Sequence, residues 1–147
     1  MILYTMGFTQ KTAEQFFDLI RANHIELLID IRLNNKSQLA GFSKGEDLRY
    51  FLKEICNCRY EHCIEFAPTK EILDGYKKGK IDWDGYVSEY LPLMNARKAP
   101  QRFLKRFGDI SNVCLLCSEP TPERCHRRLL AEMINKASPN DISVVHI

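Results

Sequence analysis

The stretch Asn112-Val113-Cys114-Leu115-Leu116-Cys117-Ser118-Glu119-Pro120-Thr121-Pro122-Glu123-Arg124-Cys125-His126-Arg127-Arg128 carries the chain from a strand through a loop into a helix. Residues 112–117 form a short apolar run, and the polar and proline-containing residues 118–122 cannot continue it as a strand. Thr121 suits an N-cap, Pro122 the first helical position and Glu123 the positive end of the helix dipole, so a helix is predicted over 122–136. Cys125 then falls in the first helical turn beside His126, Arg127 and Arg128. Unpaired backbone N–H groups and neighbouring cations stabilise a thiolate, and these are the surroundings that activate cysteines. An isolated Cys-His-Arg is more often a buried thiol with solvated arginines, so the wider setting has to decide.

Working outward, residues 1–6 and 27–31 are apolar strands, and the second is nearly continuous, as expected of a strand buried on both faces. Between them, Thr12-Ala13-Glu14-Gln15 is a capping box, and Ala13, Phe16, Phe17 and Ile20 recur at helical spacing until Asn23-His24. Residues 34–45 read as a long polar loop holding Gly41-Phe42-Ser43, followed by a helix over 47–56 and a short strand over 59–64. Two helices divide at Gly79-Lys80 within 70–99, and Trp83, Tyr86, Val87, Tyr90 and Leu91 form the apolar stripe of the second. A basic amphipathic segment over 101–107 precedes the 112–117 strand, and a last strand covers 142–147. Alternation of strands with amphipathic helices predicts a three-layer α/β domain over 1–147. Its sheet is expected to be mostly parallel, doubly wound and Rossmann-like, with helices on both faces.

At 147 residues and 45% hydrophobic, the chain is long enough to bury a core without staples. A net charge of +2 supplies no general attraction for a polyanion. The N-terminus lacks a basic flank and turns polar at Thr9-Gln10, unlike a signal peptide, and no apolar run has transmembrane length. A cytoplasmic protein without a membrane partner is expected, with its six cysteines reduced. Cys114 and Cys117 have the spacing of half a zinc knuckle, but residues three apart on a strand point to opposite faces. Cys56, Cys58 and Cys63 with His62 straddle a helix end and a strand and read as ordinary buried thiols. No metal is expected at either group, and no cofactor is named by the sequence.

Three polar clusters stand at strand exits: Gly7-Phe8-Thr9 after the first, Asp30-Ile31-Arg32 at the end of the second, and Cys117-Ser118-Glu119 before the helix. Ligand sites of open parallel sheets lie outside the carboxyl ends of the strands, so the three clusters should meet at one pocket. Cys117 and Cys125 are the nucleophile or redox candidates, with Glu119 and His126 to move protons. Arg32 and Arg127, with Gly7 and Thr9, are the candidates to hold an anion. Asp30, placed to orient Arg32, and Tyr4 read as structural support.

With these residues assembled, the chain resembles the domain of unknown function 488 family. The matching pieces are Tyr4-Thr5-Met6-Gly7, Asp30-Ile31-Arg32, Gly41-Phe42-Ser43, Tyr60, Cys117-Ser118-Glu119 and Cys125-His126-Arg127, in family order across nearly the whole chain. The Cys-x-Glu followed by Cys-His-Arg is the specific part. Phe8-Thr9 stands where many members have His-Ser, and Leu33-Asn34-Asn35 where members tend to have proline after Asp-x-Arg. The resemblance implies a fold and a site but no reaction.

Three functions compete. The first is an enzyme with cysteine-centred chemistry on an anionic small molecule or nucleotide. A Cys-x5-Arg phosphate cradle is absent, because Arg124 follows Cys117 by seven residues and not six. The second is a nucleic-acid-binding or processing module using the basic stretch 97–106 with Arg124, Arg127 and Arg128; a solvated helix face is the preferred reading of that stretch. The third is a thiolate-metal site of Cys117, Cys125 and His126 with Glu119, although adjacent helical residues point about 100° apart. The sequence leaves oligomeric state open.

Overall fold

Strands β1 (Ile2–Gly7), β2 (Leu27–Asp30), β3 (Arg59–His62), β4 (Asn112–Cys117) and β5 (Ser143–His146) form one sheet in the order β3-β2-β4-β1-β5. Every pairing is parallel, so the expected doubly wound architecture is the one observed. The computed structural model describes residues 1–36 and 41–147. β4 is the central strand, and Val113 to Cys117 are all buried, which is why this segment is apolar at every position and not at alternate ones.

The connecting helices are α1 (Ala13–Ala22), α2 (Gly45–Cys56), α3 (Lys70–Lys77), α4 (Trp83–Ala96), α5 (Ala99–Phe107) and α6 (His126–Ala137). α1 opens on the expected capping box: the Gln15 backbone donates to the Thr12 hydroxyl at 3.1 Å, and the Thr12 backbone donates to the Gln15 side chain at 2.9 Å. α1 and α2 cover one face, where Phe16, Ile20 and Leu52 pack on Met6, Leu28 and Leu116. The other face carries α4, α5 and α6, where Tyr90, Phe103 and Leu130 pack on Leu3, Ile29 and Leu115. The period of two along β4 puts Cys114 in the first layer and Cys117 in the second, as their spacing requires.

This winding positions the site. From β1 and β2 the chain leaves over the face that α1 and α2 cover, whereas from β4, which lies between them, it leaves over the α6 face. A crevice therefore opens at the carboxyl end of β4, flanked by the ends of both neighbours.

Two boundaries differ from expectation in ways that matter. α6 begins at His126 with Cys125 as its N-cap residue, four residues later than the Thr121-Pro122 signal predicts. The carbonyls of Glu119 and Pro120 turn inward to accept from Arg127, and a helix started at Pro122 would not leave the chain free to do so. α2 starts at Gly45, directly after a short 3-10 turn at Gly41–Ser43. The predicted loop thus contains local structure, and its residues 37–40 lie outside the described residues. Among the described residues, no helix is long and apolar enough to cross a membrane.

Candidate functional site

Cys117 ends β4 and has no exposed surface, yet its sulfur borders a pocket of about 100 Å³ at the strand's carboxyl end. Arg127, in the first turn of α6, is fully buried and donates from Nη1 to the Cys117 sulfur at 3.0 Å. The same nitrogen donates to the Glu119 carbonyl, and Nη2 donates to the Pro120 carbonyl at 3.4 Å. The loop after β4 is thereby folded around the guanidinium. Burial works against a Cys117 thiolate, but hydrogen bonding from Cys125 and the charge and hydrogen bond of Arg127 outweigh it, so the thiol pKa falls below its ordinary value.

Cys125 behaves in the opposite way. Burial, hydrogen bonding with Cys117 and the negative charge next to it push its pKa far up. The expectation that Cys125 is the activated thiol with a depressed pKa is therefore corrected. Cys125 sits at the N-cap and not in the first turn, and it keeps its proton as the donor to its neighbour. Cys114 is inert as expected, with burial driving its pKa up.

Arg32 is the second buried cation. Its Nε donates to Asp30 Oδ1 at 2.8 Å and its Nη2 to Asp30 Oδ2 at 2.6 Å, a forked pair, while Nη2 also reaches the Ser43 carbonyl at 2.7 Å. Asp30 receives in addition the Arg32 backbone N–H at 3.1 Å and the Tyr60 hydroxyl at 2.6 Å, so this fully buried carboxylate is saturated. Asp30 thus has the orienting contacts expected of it. Among the described residues, Nη1 of Arg32 is buried with no hydrogen-bond partner, and Arg32 lines the pocket. An unpaired buried guanidinium N–H is costly, which makes it the natural receptor for an anionic group.

The remaining candidates divide between the pocket wall and its backing. Glu119 and His126 join Arg32, Cys117 and Cys125 in the wall. The Glu119 side chain is exposed. His126 Nε2 donates to the Ile31 carbonyl at 3.0 Å, since a carbonyl can only accept, and burial first, then the Arg127 charge, hold its pKa down at about 4. It is a neutral ring near pH 7. Gly7 and Thr9 lie behind the wall. A Cβ on Gly7 would fall 1.7 Å from the Glu119 carbonyl oxygen and 2.9 Å from Arg127 Nη1, so only glycine lets these strand ends approach. Thr9 donates from its hydroxyl to the Ser118 carbonyl and ties the two loops together. Tyr4 is buried in the opposite layer, in the core under α1 and α2.

Sequence reasoning missed one part of the wall. Tyr76, Trp83 and Tyr86, from α3 and α4, line the pocket opposite the strand ends. Tyr86 is 2% exposed. Helical spacing marks these rings as an apolar stripe, and only the tertiary fold reveals that the stripe's end faces the cysteines.

Elsewhere, Arg106 of the basic stretch pairs with Glu61 and Glu65, each at 2.6 Å, and Arg97 donates to the Glu65 and Ala67 carbonyls at 3.0 and 2.8 Å. Those two arginines are occupied within the protein. Cys58 and Cys63 lie in opposite layers. Among the described residues no group of three or more His, Cys, Asp or Glu is arranged to hold a metal ion.

A family model described as domain of unknown function DUF488 matches residues 12–134. No curated protein and no solved structure matches the chain.

Proposed function

This chain belongs to the domain of unknown function DUF488 family, and from its site we propose an enzyme whose Cys117 thiolate acts on an anionic small molecule or nucleotide. The observation that carries this reading is the 3.0 Å contact from the buried Arg127 Nη1 to the Cys117 sulfur at the wall of a pocket. A cation with no exposed surface, held against a sulfur, favours the nucleophilic form of that sulfur. Arg32, whose Nη1 is unpartnered among the described residues and which lines the same pocket, is the anion receptor. In the covalent step the Cys117 sulfur bonds to an electrophilic centre of the substrate, and the leaving group departs with its bonding pair. Water then cleaves the adduct, returning the thiolate and releasing a proton, which the exposed Glu119 carboxylate of the same lining passes to solvent.

The test is modification by a small thiol reagent, methyl methanethiosulfonate, at neutral pH with mapping of the labelled peptide. Cys117 should be labelled before Cys114 and Cys125, and inorganic phosphate should slow the labelling. In Arg32→Lys, which keeps a charge beside Asp30 but removes the fork, phosphate should no longer protect. Labelling of Cys125 in preference to Cys117, or no effect of phosphate on the wild type, would contradict the proposal.

A further inference from the structure

We infer that the ligand of this pocket carries a planar ring beside its anionic group, as a nucleoside monophosphate does. The inference rests on the proposed anion site and adds the chemistry of the opposite wall. Trp83 and Tyr86 stack with ring centroids 5.1 Å apart and planes 13° apart, and Tyr86 continues the ladder to Tyr90 at 5.9 Å and 20°. Tyr76 closes the corner edge-on, 5.9 Å from Trp83 and 5.4 Å from Tyr86. Tyr90 is buried in the core, but Trp83, the opposite end of the ladder, is only partly buried and belongs to the pocket wall. A flat ring laid against Trp83 adds a rung to a stack already formed, at little cost in side-chain freedom.

Packing between α3 and α4 would by itself account for an aromatic cluster. It does not account for the unpaired donor in the same lining. Arg32 Nη1 is without a hydrogen-bond partner among the described residues, and its side chain, 3% exposed, lines this pocket. Lys77 and Arg124 stand exposed in the same lining, and neither forms an ion pair among the described residues. The arrangement is a cationic floor with donors to spare below a stacking wall. The pocket's 100 Å³ accommodates the acidic group and the edge of a ring, so the rest of the ligand leaves through the open mouth. The acidic group then meets Arg32, and Lys77 and Arg124 add positive charge to the same lining.

The experiment compares adenosine 5′-monophosphate and uridine 5′-monophosphate with ribose 5-phosphate and inorganic phosphate. Binding is measured by calorimetry and, in the wild type, by fluorescence of Trp83, the chain's one tryptophan. At least one nucleoside monophosphate should quench Trp83 and bind roughly tenfold to a hundredfold more tightly than ribose 5-phosphate. Trp83→Leu should reduce that advantage to about twofold or less without changing ribose 5-phosphate affinity, and Trp83→Phe should retain most of it. Equal affinity for nucleoside monophosphates and ribose 5-phosphate would overturn the planar-ring inference while the anion site stands. If no phosphate compound binds or protects Cys117, the anion reading itself falls, and this inference with it.

Discussion

A guanidinium with no exposed surface must find its compensation inside the protein, and around Arg127 that compensation is the Cys117 sulfur and the carbonyls of Glu119 and Pro120. Replacing the cation by an apolar chain of similar length, Arg127→Met, should raise the Cys117 thiol pKa, read from the pH dependence of its modification. Gly7 is the counterpart on β1. Gly7→Ala puts a methyl group into the Glu119 carbonyl, and denaturant unfolding should show a loss on the order of 2–3 kcal/mol. Asp30→Ala should cost about 3–5 kcal/mol, because it leaves Arg32 charged and unpaired in the interior. Most of these residues are legible in the sequence, since each polar cluster stands at the exit of an apolar strand. Which thiol is ionised is not legible. The assignment turns on one Arg127–sulfur contact, and neighbours in sequence make Cys125 the better candidate than Cys117, which lies ten residues from the arginine.

The elements α6 and α4 show how far local patterns reach. Thr121, Pro122 and Glu123 have the chemistry of a helix start, but the loop must first bring two carbonyls to Arg127, and the helix begins only at His126. Tertiary demand overrides a local signal of this size, because a cap contributes only about 1 kcal/mol. In α4, the spacing of Trp83, Tyr86 and Tyr90 identifies an inward face, but it cannot say that this face passes the open end of the sheet. His126 gives the α6 start a pH dependence. Its pKa is about 4 in the folded protein against an ordinary 6.5, so the unfolded chain binds the extra proton between these values. Stability should be fully present above pH about 6.5 and fall by roughly 1–3 kcal/mol as pH drops toward 4. His126→Gln, compared with wild type by thermal unfolding across that range, should lack this step; an identical pH profile would assign the loss to other groups.

At the scale of the whole molecule, the parallel sheet and its two helical layers follow from strand and helix periodicity, and the winding order makes the carboxyl end of β4 the place where loops from three strands meet. The strand order itself, with β4 inserted between β2 and β1, is not written in any local pattern; it is set by which apolar faces fit together. That insertion brings Gly7, Arg32 and Cys117 into one neighbourhood and sets the Cys117 sulfur against the buried Arg127, in a pocket lining shared with Arg32. The proposed chemistry depends most on the charge state of Cys117. The most direct measurement is the ultraviolet absorbance of thiolate as a function of pH, in the wild type, Cys117→Ser and Cys125→Ser. The wild type should show a thiolate that forms below the ordinary thiol range, Cys117→Ser should abolish it, and Cys125→Ser should keep it with a higher midpoint because a hydrogen-bond donor to the sulfur is weakened. A wild type in which no thiol ionises below the ordinary thiol range, or loss of the early thiolate in Cys125→Ser and its survival in Cys117→Ser, would contradict the proposal.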